Sequence, residues 1–146
     1  MQDYVKAWKP DFILVSCLTL SAYYVYNLIE RIKETGHNAL IIMGGPHATA
    51  MPEECIEAGA DFCCLGEGEL TLCELIHIIQ KGTFDYSTVD NIVYKQDGKI
   101  IFTSRTHNLI DLSTLCFPDF TLLSEYESYY THIHLLDDNT RALPIM

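Results

Sequence analysis

Positive charge is scarce in this sequence. Nine lysines and arginines stand against 20 aspartates and glutamates, a formal net charge of −11. A nucleic-acid binder carries a basic face to neutralise phosphates, and an anionic membrane surface asks for the same, so the expectation is no nucleic acid and no membrane. No apolar run reaches the length of about 18 residues that a spanning helix needs, and no charged-then-apolar leader is visible. The six cysteines (Cys17, Cys55, Cys63, Cys64, Cys73 and Cys116) form no C-x-x-C pair and no C-x-x-x-C-x-x-C triplet. The common zinc, redox and iron–sulfur signatures are therefore absent, and a reduced, cytoplasmic protein is the simple expectation. There is also no nucleophile elbow, no G-x-x-x-x-G-K-[ST] and no G-x-G-x-x-G, which disfavours the usual mononucleotide sites.

What the chain does have is three repeats of strand followed by helix. Its 146 residues, 49% hydrophobic and 20% charged, are enough for one domain with a real core. Asp3 to Trp8 gives one or two turns of helix ended by Lys9-Pro10. Phe12-Ile13-Leu14-Val15-Ser16 is an uninterrupted apolar run, the pattern of a strand buried on both faces. Ser21 is positioned to cap the next helix, where Val25, Leu28, Ile29 and Ile32 make one apolar face and Gly36 ends it. A second strand covers residues 39–43 and breaks at Gly44-Gly45-Pro46. Pro52 suits the first turn of a short helix closing at Gly59. A third strand covers 62–65, and a helix over 70–80 turns Leu72, Leu75, Ile76 and Ile79 inward and stops near Gly82.

This alternation predicts a parallel sheet with right-handed crossovers. The pattern then changes. Asn91-Ile92-Val93-Tyr94, Asp97-Gly98 and Lys99-Ile100-Ile101-Phe102-Thr103 read as a hairpin, since Asp-Gly supplies the positive φ of a tight turn. Residues 111–118 look like a linker, and 120–146 are rich in Tyr and His without a clear period.

In an open parallel sheet, ligands lie beyond the carboxyl ends of the strands. Three loops share that edge: residues 16–21, 44–49 and 66–71. Their side chains are small or hydroxylic (Ser16, Thr19, Ser21, Thr49, Thr71), and their glycines leave the backbone open to close approach. This is chemistry for accepting a ligand, not for attacking one, so no catalytic residue and no metal ligand is assigned.

Alternatives stand beside each feature. The glycines also suit plain strand-to-helix turns. Glu67 and Glu69 read as an acid/base pair or, more simply, as a cap on the following helix. His47 reads as a ligand contact or as a loop hydrogen-bonding group. His132 and His134 alternate as on a strand face but have no third ligand nearby, and Tyr23, Tyr24 and Tyr26 read as packing. A small enzyme using Glu67, Glu69 and His47 is one rival; a flavodoxin-like or receiver-like interaction module without cofactor is another. The strand ends Ser16, Met43 and Leu65 lack the aspartate a receiver needs.

Several motifs, taken in order, resemble a known family. They are Lys9-Pro10-Asp11-Phe12-Ile13-Leu14-Val15-Ser16, Gly44-Gly45-Pro46-His47-Ala48-Thr49, Pro52-Glu53-Glu54, Gly66-Glu67-Gly68-Glu69 with Thr71-Leu72, the hairpin, and Ile110-Asp111-Leu112 through Phe117-Pro118-Asp119-Phe120. The set resembles the N-terminal cobalamin-binding domain of cobalamin-dependent radical S-adenosylmethionine enzymes. The resemblance implies an α/β fold: a partial Rossmann-like (flavodoxin-like) parallel sheet with flanking helices, followed by a β-hairpin and an irregular tail.

It further implies three segments. Residues 1–85 would be a cobalamin-binding domain lacking its first strands, 86–109 a hairpin extension, and 110–146 a linker towards an absent radical S-adenosylmethionine barrel. Ser16, Leu18, Thr19 and Ser21 would line the nucleotide-tail groove. Gly44, Gly45, Pro46, His47 and Thr49, with Gly66, Glu67, Gly68 and Glu69, would close around corrin and tail. The implied cofactor is cobalamin. A [4Fe–4S] cluster and S-adenosylmethionine would belong only to the missing catalytic domain, because the cluster's cysteine triplet is absent. No D-x-H-x-x-G occurs, so the cobalt-ligating histidine of the methionine synthase type has no counterpart. A methyltransferase or cyclase-type parent is implied, with this chain not catalytic by itself and an unfilled sheet edge beside its first strand.

Overall fold

The computed structural model describes residues 2–106, 111–116, 119, 131–132 and 141–142, with backbone alone at 2–4, 112, 131–132 and 141–142. They fall into two units, Met1–Leu109 and Ile110–Met146.

The first unit is built on one five-stranded sheet. Its elements run α1 (Gln2–Trp8), β1 (Phe12–Ser16), α2 (Ala22–Lys33), β2 (Leu40–Gly44), α3 (Gly45–Ala50), α4 (Pro52–Glu57), β3 (Phe62–Cys64), α5 (Glu69–Lys81), β4 (Ile92–Gln96) and β5 (Lys99–Phe102). Strand order is β1-β2-β3-β4-β5. β1 and β2 pair in parallel from Phe12 opposite Leu40 to Ser16 opposite Gly44, and β2 pairs in parallel with β3. The hairpin β4–β5 is part of the same sheet, not an appendage: β4 lies antiparallel to β3, Cys63 opposite Val93. Its turn residues Asp97 and Gly98 both have positive φ (50° and 78°), as a two-residue hairpin turn requires.

The continuous apolar runs are explained by a core on both faces. Alternate strand residues point to opposite sides. Ile41, Met43, Cys63 and Val93 pack with Ile29, Ile32 and Cys55 of α2 and α4. Ile42, Phe62, Cys64, Ile92 and Tyr94 pack with Leu75 of α5. On that second face Phe62, Tyr86 and Tyr94 stack edge-on, with centroids 4.9 Å (Phe62–Tyr86) and 5.3 Å (Tyr86–Tyr94) apart.

Three expectations need correction. β1 is not buried on both faces: it is the sheet's edge strand, and Leu14 is 53% exposed. Residues 45–50 are helix, not loop, because Pro46 sits in the first turn, where its missing N–H costs nothing. Ser21 occupies the N-cap position of α2, but its hydroxyl donates to the Leu18 carbonyl (2.9 Å), closing a 3-10 turn over Thr19–Ser21 and leaving α2 without a side-chain cap. The termini of α5 are nearer expectation: Gly82 takes the left-handed conformation at its C-cap, φ 68°.

The second unit contains a 3-10 turn at Leu112–Thr114, capped by Asp111, and a short antiparallel pair, β6 (Thr131–His132) with β7 (Arg141–Ala142). Of the His132 and His134 pair, His134 lies outside the described residues. Among the described residues, no helix is long and apolar enough to cross a membrane.

Candidate functional site

Parallel pairing brings the ends of β1, β2 and β3 to one edge, and direct hydrogen bonds join the segments that follow them. The Cys17 amide donates to the Gly44 carbonyl (2.9 Å), and the His47 amide donates to the Cys17 carbonyl (3.0 Å). Those two bonds tie the first segment to the second. The second is tied to the third by Thr49, whose hydroxyl donates to the Gly45 carbonyl (3.1 Å) and accepts from the Gly66 amide (2.9 Å). The three predicted loops are thus one connected surface.

The glycines on it have different work. A Cβ on Gly44 or Gly66 would meet nothing within 4 Å, and one on Gly68 would only reach Cys64 Cβ at 4.0 Å. These positions face open space and keep it open. Gly45, with φ at +88°, is pressed against the first segment: a Cβ there would lie 2.8 Å from Ser16 Oγ and 3.1 Å from the Cys17 backbone. Its role is close packing of segment on segment.

His47 is turned away from the open space. It is 3% exposed, and both ring nitrogens are engaged. Nε2 lies 2.6 Å from the Tyr26 hydroxyl of α2, and Nδ1 lies 3.2 Å from Thr19 Oγ1. The phenol and the threonine hydroxyl can each donate or accept, so the two contacts partner both ring nitrogens. The histidine is therefore a strut between α2, α3 and the first segment. Burial, then the Cys55 thiol 3.7 Å away, pushes the Tyr26 phenol well above the ordinary tyrosine range. Beneath it, the Cys63 thiol beside Cys55 holds Cys55 down to about 7, while its bond to Cys55 and burial push Cys63 up. Burial alone raises Cys64 to about 11.

The remaining predicted residues surround the opening. Ser16, Leu18 and Thr19 are exposed on the first segment, with Ser21 half-buried behind them. Pro46 is exposed at the start of α3; Glu67 and Glu69 are exposed on the third segment. Neither glutamate caps α5: the N-cap is Gly68, without a side-chain bond, and Glu69 merely stands in the first turn. Thr71 is buried on α5. Among the described residues no group of three or more His, Cys, Asp or Glu could hold a metal ion.

Two residues at this edge were missed in the sequence. Tyr26, read as packing, holds His47. Arg105, just past β5, donates from its guanidinium to the Thr49 carbonyl (3.3 Å). Neither lies within a recognisable motif, and only a tertiary contact reveals them.

Comparison with known proteins points the same way. Residues 1–76 match the family model described as the B12 binding domain. An uncharacterized methyltransferase of Pyrococcus horikoshii is 32% identical over 102 residues, 66% of this chain and 21% of the relative. The anaerobic magnesium-protoporphyrin IX monomethyl ester cyclase of Rubrivivax gelatinosus is 27% identical over 134 residues, 88% of this chain and 24% of the relative. The chain thus spans about a fifth to a quarter of these relatives' length. Among solved structures, the radical S-adenosylmethionine methyltransferase TsrM from Kitasatospora setae, with cobalamin and [4Fe–4S] cluster bound, superposes with a TM-score of 0.62 at 18% identity, covering 75% of this chain and 22% of that one. The cobalamin-dependent S-adenosylmethionine radical enzyme OxsB, with aqua-cobalamin bound, does so at 0.60 and 23% identity, covering 77% and 16%. At these identities the likeness is one of fold.

Proposed function

The chain belongs to the B12-binding domain family, and from that premise we propose that it holds a cobalamin over the carboxyl edge of β1–β3. In this reading it is the corrin-positioning module of a radical S-adenosylmethionine methyltransferase or cyclase-type enzyme, whose barrel lies outside these 146 residues. That these relatives include methyltransferases and an ester cyclase supports that assignment of the parent.

The observation that carries the reading is the open, glycine-bordered surface at the joined segments. A corrin with its nucleotide loop is large and rich in amides, and it needs backbone approach without Cβ atoms in the way. Gly44, Gly66 and Gly68 provide that room, and Ser16 and Thr19 supply hydroxyls that can donate or accept. The donor set therefore fits the group.

In this reading Ser16, Leu18, Thr19 and Ser21 line the groove for the nucleotide tail. Gly44 and Pro46, with Gly66, Glu67, Gly68 and Glu69, border the corrin. Gly45, His47 and Thr49 fix the segments from behind. Cobalamin, when bound, supplies the methyl-carrying or redox chemistry of its cobalt. The residues of this chain bind and orient it. With both ring nitrogens engaged by Tyr26 and Thr19, His47 would serve the site as a strut and not as a cobalt ligand.

Gel filtration of the chain with hydroxocobalamin tests the proposal. Co-elution of corrin with folded protein at one equivalent, with a shifted visible spectrum, is expected. A folded protein that elutes free of corrinoid overturns it and favours a cofactor-free interaction module.

A further inference from the structure

We propose that Arg105 recognises the phosphodiester of the cobalamin nucleotide loop; this rests on the reading above that the edge binds cobalamin. The distribution of charge is the first observation. Lys9 precedes β1, Lys33 and Lys81 end α2 and α5, and Lys95 and Lys99 flank the β4–β5 turn. Given the strand directions, all five lie toward the amino edge of the sheet. Arg105 follows β5 at the carboxyl edge, next to the open segments. In a chain of net charge −11 it stands at the opposite edge from these five lysines, where the site is.

Its position is built, not incidental. Asn91, in the left-handed conformation at φ 59°, grips the backbone on both sides of Arg105. The Asn91 amide donates to the Ser104 carbonyl (2.8 Å). Its side chain accepts from the Thr106 amide (2.9 Å) and donates to the Thr106 hydroxyl (2.9 Å). The Asn91 carbonyl in turn receives the Leu65 amide (2.8 Å), one residue before the open Gly66 turn. Arg105 is thereby clamped against the third segment while its guanidinium reaches the Thr49 carbonyl of the second (3.3 Å).

That contact occupies one nitrogen of the guanidinium. The side chain is exposed, and no ion pair to it is formed among the described residues. Its remaining N–H donors form a planar fork suited to two phosphate oxygens. The periphery of cobalamin is otherwise neutral amide, and its phosphodiester is the group that gains most from such a fork.

The test pairs two proteins with two corrinoids: the chain and its Arg105→Gln variant, each titrated with hydroxocobalamin and with cobinamide, which lacks the nucleotide loop. A charge-assisted phosphate contact at an exposed site is expected to weaken cobalamin binding by about 10-fold on substitution. Cobinamide affinity should not move, and Arg105→Lys should fall between. Equal losses for both corrinoids would show that Arg105 acts only through the Thr49 carbonyl, and no loss for either would show no role; each overturns the proposal. Binding of neither corrinoid by the unsubstituted chain would overturn the cobalamin reading itself, a failure distinct from the first two.

Discussion

Gly44 and Gly45 are neighbours in sequence, yet substitution at the two should have opposite consequences. Gly44 is extended (φ −140°, ψ −171°), a conformation open to any residue, and a Cβ there meets nothing within 4 Å. Gly45 is left-handed at +88°, and its Cβ would sit 2.8 Å from Ser16 Oγ and 3.1 Å from the backbone of Cys17. Placing an L-residue in the left-handed region costs about 1–2 kcal/mol. Forcing the first segment aside adds about 1–3 kcal/mol, as in overpacked cores. Ser16 Oγ can rotate, but the Cys17 backbone is held by its bonds to Gly44 and His47. Gly45→Ala should therefore lose about 2–5 kcal/mol, a fall of roughly 6–20 °C in Tm for a domain of this size. Gly44→Ala should stay within about 0.5 kcal/mol of the parent. Gly44→Val should lower corrinoid affinity without lowering stability. Urea denaturation followed by circular dichroism reads the stabilities. A Gly45→Ala variant as stable as the parent, or a Gly44→Ala variant that falls equally far, would refute the assignment of one glycine to packing and the other to the ligand.

Two further outcomes concern the layer beneath the site. Tyr26→Phe leaves His47 Nε2 buried without its partner at 2.6 Å, so it should cost about 1–3 kcal/mol in denaturant melts; a loss below about 0.5 kcal/mol would remove the strut from the account. Cys64, raised by burial to about 11, stabilises the fold fully below the unfolded thiol value near 9 and loses that contribution as pH rises through 11. Stability measured from pH 8 to 11 should drop by about 2–3 kcal/mol from this group, and Cys64→Ala should give a shallower slope; identical slopes would contradict it.

Local patterns revealed the elements because each carries its own signal. The i, i+3, i+4, i+7 face of α2, Gly82 after α5 and Asp97-Gly98 in the hairpin are determined within a few residues of themselves. The three segments of the site followed from strand order, since parallel strands must end on one side. What was hidden depended on distant partners. Gly-Gly-Pro reads as a break, yet the same proline opens α3. Tyr26 meets His47 across 21 residues, and Arg105 meets Thr49 across 56, separations at which periodicity leaves no trace. The apolar run of β1 predicts burial on both faces, whereas the sheet has no strand beyond it among the described residues.

Hydrogen exchange with and without hydroxocobalamin tests the central claim most directly. The account predicts that bound corrinoid slows exchange at amides of residues 17–21, 44–49 and 66–69. It predicts no change at residues 36–40, on the opposite edge of the sheet. Bound corrinoid that leaves the three segments unprotected, or that protects residues 36–40 in their place, would contradict it.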